Sequence, residues 1–279
     1  MNPVNLITSL TRFQEAAARI DRDKQLRPLE RRLQKAIAAA FQEQGRLFLA
    51  RLKPLASKFD ANAEKAAESL RESKSANWLP AWDAAARESV PLFSDPLHEL
   101  ILESLLLGGG SLLDAIDDQG QLGISWNLEN PRAVEYARQR AASQVTKIND
   151  TTRMYLNSMI SQAVDEGWSY DRLSEAIGDR FTEFATGGDN PRSRRVAVYE
   201  LGDAYEGGQD MMVDEMAGAG VELEQAWLTA GDDRVRPSHR DNAAAGYIAS
   251  DATFPSGDAR PPTDPGCRCV RLFRRKRGK

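Results

Sequence analysis

Cys267 and Cys269 are the only two cysteines of the 279-residue chain, and a single arginine separates them. In an extended segment residues i and i+2 face the same way, so both sulfurs can converge on one ion. His239, one of two histidines, adds a borderline ligand, and the three together suit zinc. Cys-x-Cys is tighter than the usual spacing of zinc ligands, and a fourth ligand has to be water or a carboxylate, with Asp232, Asp241, Asp251 and Asp264 as candidates. The same letters also describe two small buried residues beside a histidine that hydrogen-bonds a loop. A disulfide between Cys267 and Cys269 would close a small strained ring and is the least expected arrangement.

His239 closes the densest polar cluster of the chain, in which Asp232, Asp233, Arg234, Arg236 and His239 fall within "WLTAGDDRVRPSHRDNAAAGY". Such a set is compatible with phosphodiester cleavage, the imidazole acting as acid or base and an arginine holding the phosphate. A salt-bridged surface turn explains it equally. Metalloprotease, P-loop, nucleophile-elbow and Rossmann patterns are missing from the sequence. His98, in "PLHELILESLLL", has no partner motif and reads as a packed or surface residue. From Arg268 to Lys279 there are seven Arg or Lys and no acid. Arg271, Arg274, Arg275, Lys276, Arg277 and Lys279 therefore form a candidate phosphate-binding tail that works by counterion release; a solvated terminus is the alternative.

The elements that must position these residues are mostly helical. Hydrophobic residues make up 41% and charged residues 28% at a net charge of −4, a composition of globular proteins that does not mark the whole chain as a nucleic-acid binder. The N-terminus lacks a signal-peptide core, and no apolar run is long enough to span a membrane, which points to a reducing cytoplasm and no anchor. Leu29, Leu33, Ile37 and Phe41 recur every four residues between Pro28 and Pro54, which are the expected helix boundaries. A second helix is expected over Ala61–Ser73, only short pieces over Lys74–Pro96, a helix over Leu97–Leu107, and a hinge or loop at Gly108–Gly110.

Asn130-Pro131 reads as an N-cap with proline in the first turn, opening a stripe of Val134, Ala137, Ala141, Val145 and Ile148. A separate helix is expected from Asp150 or Thr151 to Gly167. Ser169 should cap a shorter one that buries Leu173, Ile177 and Phe181. After a last helix, Ala217–Gly220 ends the helical part, and Val221, Leu223, Gln225 and Trp227 alternate as in a strand. The Gly-, Pro- and Asp-rich remainder predicts a small irregular module.

"AWLTAGDDRVRPSHRDNAAAGYI" followed by "FPSGDARPPTDPGCRC" resembles the C-terminal signature of the phage Mu protein F-like minor head proteins, also called phage head morphogenesis proteins. The matching positions are Trp227, Asp232, Asp233, Arg234, Arg236, His239, Gly246, Phe254, Pro261–Pro262, Cys267 and Cys269. The resemblance runs from roughly Leu128 to Cys269. It departs from the family at Val198-Tyr199-Glu200, where an Ala-Arg-Thr-Glu run is usual, and leaves the first 120 residues unmatched.

The resemblance implies a virion protein of a tailed phage, few in copy, associated with the portal and incorporated during procapsid assembly. Some relatives are thought to bind DNA, and some carry an enzyme domain after this module; the chain stops soon after Cys269, so no such domain is expected. The expected fold class is mainly α, bundle-like, with a small C-terminal α+β module. Its expected divisions are an N-terminal helical region (1–120), a second helical part (121–216), the module (217–269) and a basic tail outside it (270–279). The expected role is structural and non-enzymatic. Portal and capsid proteins are the implied partners, double-stranded DNA meets the tail, zinc is a candidate cofactor, and the virion is the location after assembly in the host cytoplasm. The alternative is a His- or metal-dependent nuclease acting on phage or host DNA.

Overall fold

The computed structural model describes residues 3–56, 78–117, 119–127 and 129–276, with side chains from residue 21 onward. Its elements are α1 (Pro3–Leu52), a 3-10 turn (Lys53–Leu55), α2 (Leu79–Ile116), α3 (Pro131–Asp165), α4 (Tyr170–Thr186), α5 (Arg192–Gly218), β1 (Leu223–Leu228), α6 (Pro237–Ala244), β2 (Tyr247–Ala249) and β3 (Val270–Arg275). The mainly α class holds, with one small antiparallel sheet near the C-terminus in the order β2-β1-β3. Two compact units interleave along the chain, one of residues 1–32, 99–137 and 195–279, the other of 33–98 and 138–194. That division differs from the linear scheme expected from sequence. The helix expected over 61–73 lies outside the described residues.

In the second unit the core is aromatic. Phe41 packs on Phe93 and Phe184, with ring centroids 5.2 and 5.4 Å away, and Phe48 on Trp78 and Trp82. This packing explains why the prolines do not break α2 into the short pieces expected. An interior proline costs about 3 kcal/mol, whereas each buried Phe or Leu returns about 1.5–3 kcal/mol. Pro91 and Pro96 sit inside α2, beside fully buried Phe93 and Leu97. The Nε2 of Gln44, also fully buried, donates to Ser89 Oγ at 2.8 Å and to Asn149 Oδ1 at 2.9 Å.

α3 runs unbroken where two helices were expected. Thr151 and Thr152 turn their hydroxyls back onto the carbonyls of Lys147 and Ile148 instead of capping a new start. Its C-terminus is as read: Gly167 is left-handed at φ +65°, and Trp168 N–H donates to the Ala163 carbonyl at 2.8 Å. Ser169 caps α4, its Oγ accepting from Arg172 N–H, and Leu173, Ile177 and Phe181 are buried. In the first unit, Asn130 Oδ1 accepts from the Arg132 and Ala133 N–H groups and opens α3, also as read. Pro28 is no boundary; α1 passes through it, with Leu26 and Leu29 buried on either side.

Gly108–Gly110 is likewise neither hinge nor loop. A Cβ at Gly108 would lie 1.9 Å from the Tyr205 carbonyl oxygen, and one at Gly208 would lie 1.9 Å from that of Leu105. A Cβ at Gly109 would strike the Trp126 ring at 2.4 Å. The glycines thus let α2 and α5 touch backbone to backbone. Across this contact Ser104 Oγ donates to the Leu201 carbonyl at 2.7 Å.

The candidate metal centre and the C-terminal strand

The signature residues build one small module. Asp232 opens a turn, its Oδ1 accepting from Arg234 N–H and its carbonyl from Val235 N–H. Arg236 follows at the N-cap of α6, with Pro237 in the first turn, so His239 leaves the helix on its buried side. Gly246 adopts φ +68°, a conformation that glycine takes without penalty, and lets the chain reverse into β2. β2 pairs with β1 at Ala226↔Tyr247. Trp227 of β1 packs edge-on against His239 and Phe254, at 5.2 and 5.0 Å between centroids. Together with Cys269 these aromatics form a buried cluster edged by Cys267, Ala243 and Ile248.

Into that cluster the Cys-x-Cys segment brings both sulfurs. Cys269 Sγ lies 3.4 Å and Cys267 Sγ 3.8 Å from the same atom, His239 Nδ1, and all three ligand atoms fall within 4.8 Å of one another. Both cysteines are free thiols; Cys269 and His239 are buried and Cys267 is half-buried. The Cys267 thiol is lowered to about 6 by the hydrogen bond with the Cys269 side chain, then by backbone donors at Cys269 and Thr263 and by His239, against the opposing effect of burial. The other ring nitrogen, Nε2, meets Thr263 Oγ1 at 3.1 Å. His239 is only 3% exposed and both nitrogens face protein groups, so its ring is not offered to a phosphate.

Of the proposed fourth ligands, none joins the group. Asp232 is engaged by Arg268 through two 2.7 Å hydrogen bonds, which hold its carboxyl well below the usual range. Asp264 takes an ion pair from Arg236 and a hydrogen bond from Thr263 Oγ1. Asp233 contributes its carbonyl, which accepts from Arg240. Asp241 and Asp251 are exposed.

The basic stretch is not a tail outside the module but its third strand. β3 pairs with β1 over six residues, from Leu228↔Val270 to Leu223↔Arg275. Alternation then sends Arg271 inward, where it is 5% exposed. Its Nε and Nη2 donate to the Glu206 carboxylate and carbonyl at 2.9 and 2.8 Å, and its Nη1 reaches Gln225 Oε1 at 3.1 Å and Asp210 at 2.6 Å. Arg260 joins the same group through Asp203 and Asp210, and Tyr136 donates to Asp203 at 2.8 Å. Burial opposes the charge on Arg260 most, yet Asp203, Asp210, Tyr136 and Glu206 together hold its pKa above the ordinary value.

Toward the end of β3, Arg274 pairs with Glu224 at 2.7 Å and stacks 3.8 Å from the Tyr247 ring centroid. Lys276 pairs with Glu222, and the exposed Arg275 donates to the Ile116 carbonyl. Arg277 and Lys279 lie outside the described residues.

Sequence reasoning did not find Glu206, Asp210, Asp203 or Arg260. The available sign was "ELGDAYEGGQD", a helix too acidic and too glycine-rich for a core, yet buried continuously from Glu200 to Gln209. It also missed Asn242, fully buried, which exchanges hydrogen bonds with Ser256 and fixes the Phe254 loop to α6. Glu200, at the departure from the family pattern, is fully buried on α5.

Residues 154–272 match the family model described as phage Mu protein F like protein, which supports the family suggested by the signature. The matched span begins in the C-terminal third of α3 and ends in β3. That family suggests a phage head-associated protein with capsid proteins as partners and the virion as its location. No curated protein and no solved structure matches significantly. Among the described residues no helix is long and apolar enough to cross a membrane.

Proposed function

We propose that this chain is a structural, non-enzymatic minor head protein of a tailed phage, associated with the portal inside the capsid and acting in head morphogenesis. The observation that carries this reading is the family match over residues 154–272, which takes in α4, α5 and the module in one stretch. The structure adds a physical reason why α5 and the module behave as one body. Arg271 of β3 and Arg260 of the preceding loop are both tied to acids of α5, so the module is anchored to the helix on which it follows. An anchored knob suits assembly against a partner, where a mobile one would lose ordering entropy on binding.

The exposed Arg275 and Lys276 at the end of β3 carry the proposed contact with packaged DNA, which is electrostatic, salt-sensitive and without sequence readout. Arg271 takes no part in it. Assembly takes place in the host cytoplasm before the protein is enclosed. The test is deletion of the coding sequence from the phage that carries it. The expected outcome is heads defective in assembly or DNA content, restored by the chain supplied in trans. Wild-type yields of DNA-filled infectious particles would overturn the reading.

A further inference from the structure

We propose that His239 Nδ1, Cys267 Sγ and Cys269 Sγ hold a zinc ion that closes the C-terminal module, with water in the fourth position. Zinc bound at about 2.3 Å to sulfur and about 2.0–2.1 Å to nitrogen, in tetrahedral geometry, places S and N about 3.6 Å apart. The two observed separations, 3.4 and 3.8 Å, straddle that value. The two sulfurs, within 4.8 Å of each other, come to about 3.8 Å apart when both bind the ion, an adjustment of at most about 1 Å.

The histidine is also set in the state a metal needs. Thr263 Oγ1 donates its proton to Asp264 Oδ2 at 3.2 Å, so toward His239 Nε2, 3.1 Å away, it acts as acceptor. The ring proton therefore sits on Nε2, and the lone pair of Nδ1 points at the sulfurs. Asp264 is itself held by Arg236, the N-cap residue of α6. This carboxylate–hydroxyl–imidazole chain is the outer-shell support that metal-bound histidines characteristically have.

Packing alone leaves the arrangement poorly explained. One imidazole lone pair accepts one S–H and leaves the other thiol to the neighbouring sulfur, a weak acceptor, yet both converge on the ring from a segment far along the chain. Zinc resolves this: two thiol protons leave to solvent, two thiolates and a neutral imidazole remain, and Zn2+ balances the charge to zero. The aromatic walls of Trp227 and Phe254 and the burial of Cys269 suit such a neutral site. Two thiolates with one imidazole favour zinc over the hard, oxygen-seeking cations.

The test uses the full chain, purified reduced at neutral pH without added metal. Roughly one zinc per chain is expected by elemental analysis. Replacement by cobalt should give thiolate-to-metal charge-transfer absorption together with the visible bands of a tetrahedral site. Cys267→Ser, at a half-buried position, should keep the fold by circular dichroism and lose part of the charge-transfer intensity. A reduced wild-type chain that takes up cobalt with no thiolate absorption would overturn the proposal, as would equal zinc retention in the Cys267→Ser/Cys269→Ser double variant. Neither result bears on the head-protein reading, which rests on the family match.

Discussion

Replacing Arg271 by methionine tests whether the basic strand is a structural element. Methionine fills most of the aliphatic volume but removes every donor. Glu206, whose side chain is 1% exposed, then keeps Arg22, 3.9 Å from its other oxygen, and the more distant Arg260, and Asp210 and Gln225 each lose a partner. Removing one member of a buried ion pair costs about 3–5 kcal/mol, chiefly because the surviving charge stays buried. For a unit of this size about 2–4 °C of Tm accompanies each kcal/mol, so calorimetry should show the corresponding transition lowered by about 6–20 °C. The Glu206→Gln/Arg271→Met double variant should be less destabilised than the two singles added together, since no unpaired charge remains. Arg275→Met, on the exposed end of β3, should move Tm by no more than a surface substitution does, about 0.5 kcal/mol. An Arg271→Met protein with unchanged Tm and additive behaviour in the double variant would refute the reasoning.

Gly208→Ala should destabilise by about 1–3 kcal/mol or more in chemical denaturation, because its Cβ meets a backbone oxygen, whereas Gly218→Ala, with open space around it, should be neutral or slightly stabilising. Thr263→Val removes the acceptor for His239 Nε2–H and should lower cobalt affinity by about 10–100-fold in a chelator competition, with all three ligands still present. Asp232 has its folded pKa depressed by the Arg268 hydrogen bonds, so its stabilising effect is fully present above the unfolded value of about 3.9 and is lost as pH falls toward the folded one. Asp232→Asn should therefore flatten the dependence of Tm on pH below about 4 and lower Tm at neutral pH. Ser169→Ala should cost about 1 kcal/mol by removing the cap of α4.

What the sequence made legible was local. The caps at Asn130 and Ser169, the stop at Gly167, the strand at Trp227 and the mainly α class all follow from short-range patterns that the structure keeps. The pairing of His239 with the two cysteines was also readable, because few other ligands of their kind exist in the chain. What failed was local reasoning overridden by distant partners. Pro91 and Pro96 look like breakers until Phe93 and Leu97 are seen buried between other helices of their unit. Gly108–Gly110 looks like a hinge until Gly208 and the Tyr205 carbonyl are set against it. The run after Cys269 looks like a solvated tail because the acids that neutralise it, Glu206 and Asp210 on α5 and Glu224 on β1, are remote in sequence. Val270 to Arg275 gave little local sign of a strand, since Leu272-Phe273 and Arg274-Arg275 break the period-two pattern after three residues.

The central claim is that this polypeptide is part of the phage head. Quantitative mass spectrometry of purified procapsids and mature heads, with the portal as internal standard, measures it most directly. The account predicts that peptides from both α3 and the C-terminal module are present in each particle, at few copies compared with the major capsid protein. Particles of full infectivity from which those peptides are missing would contradict it.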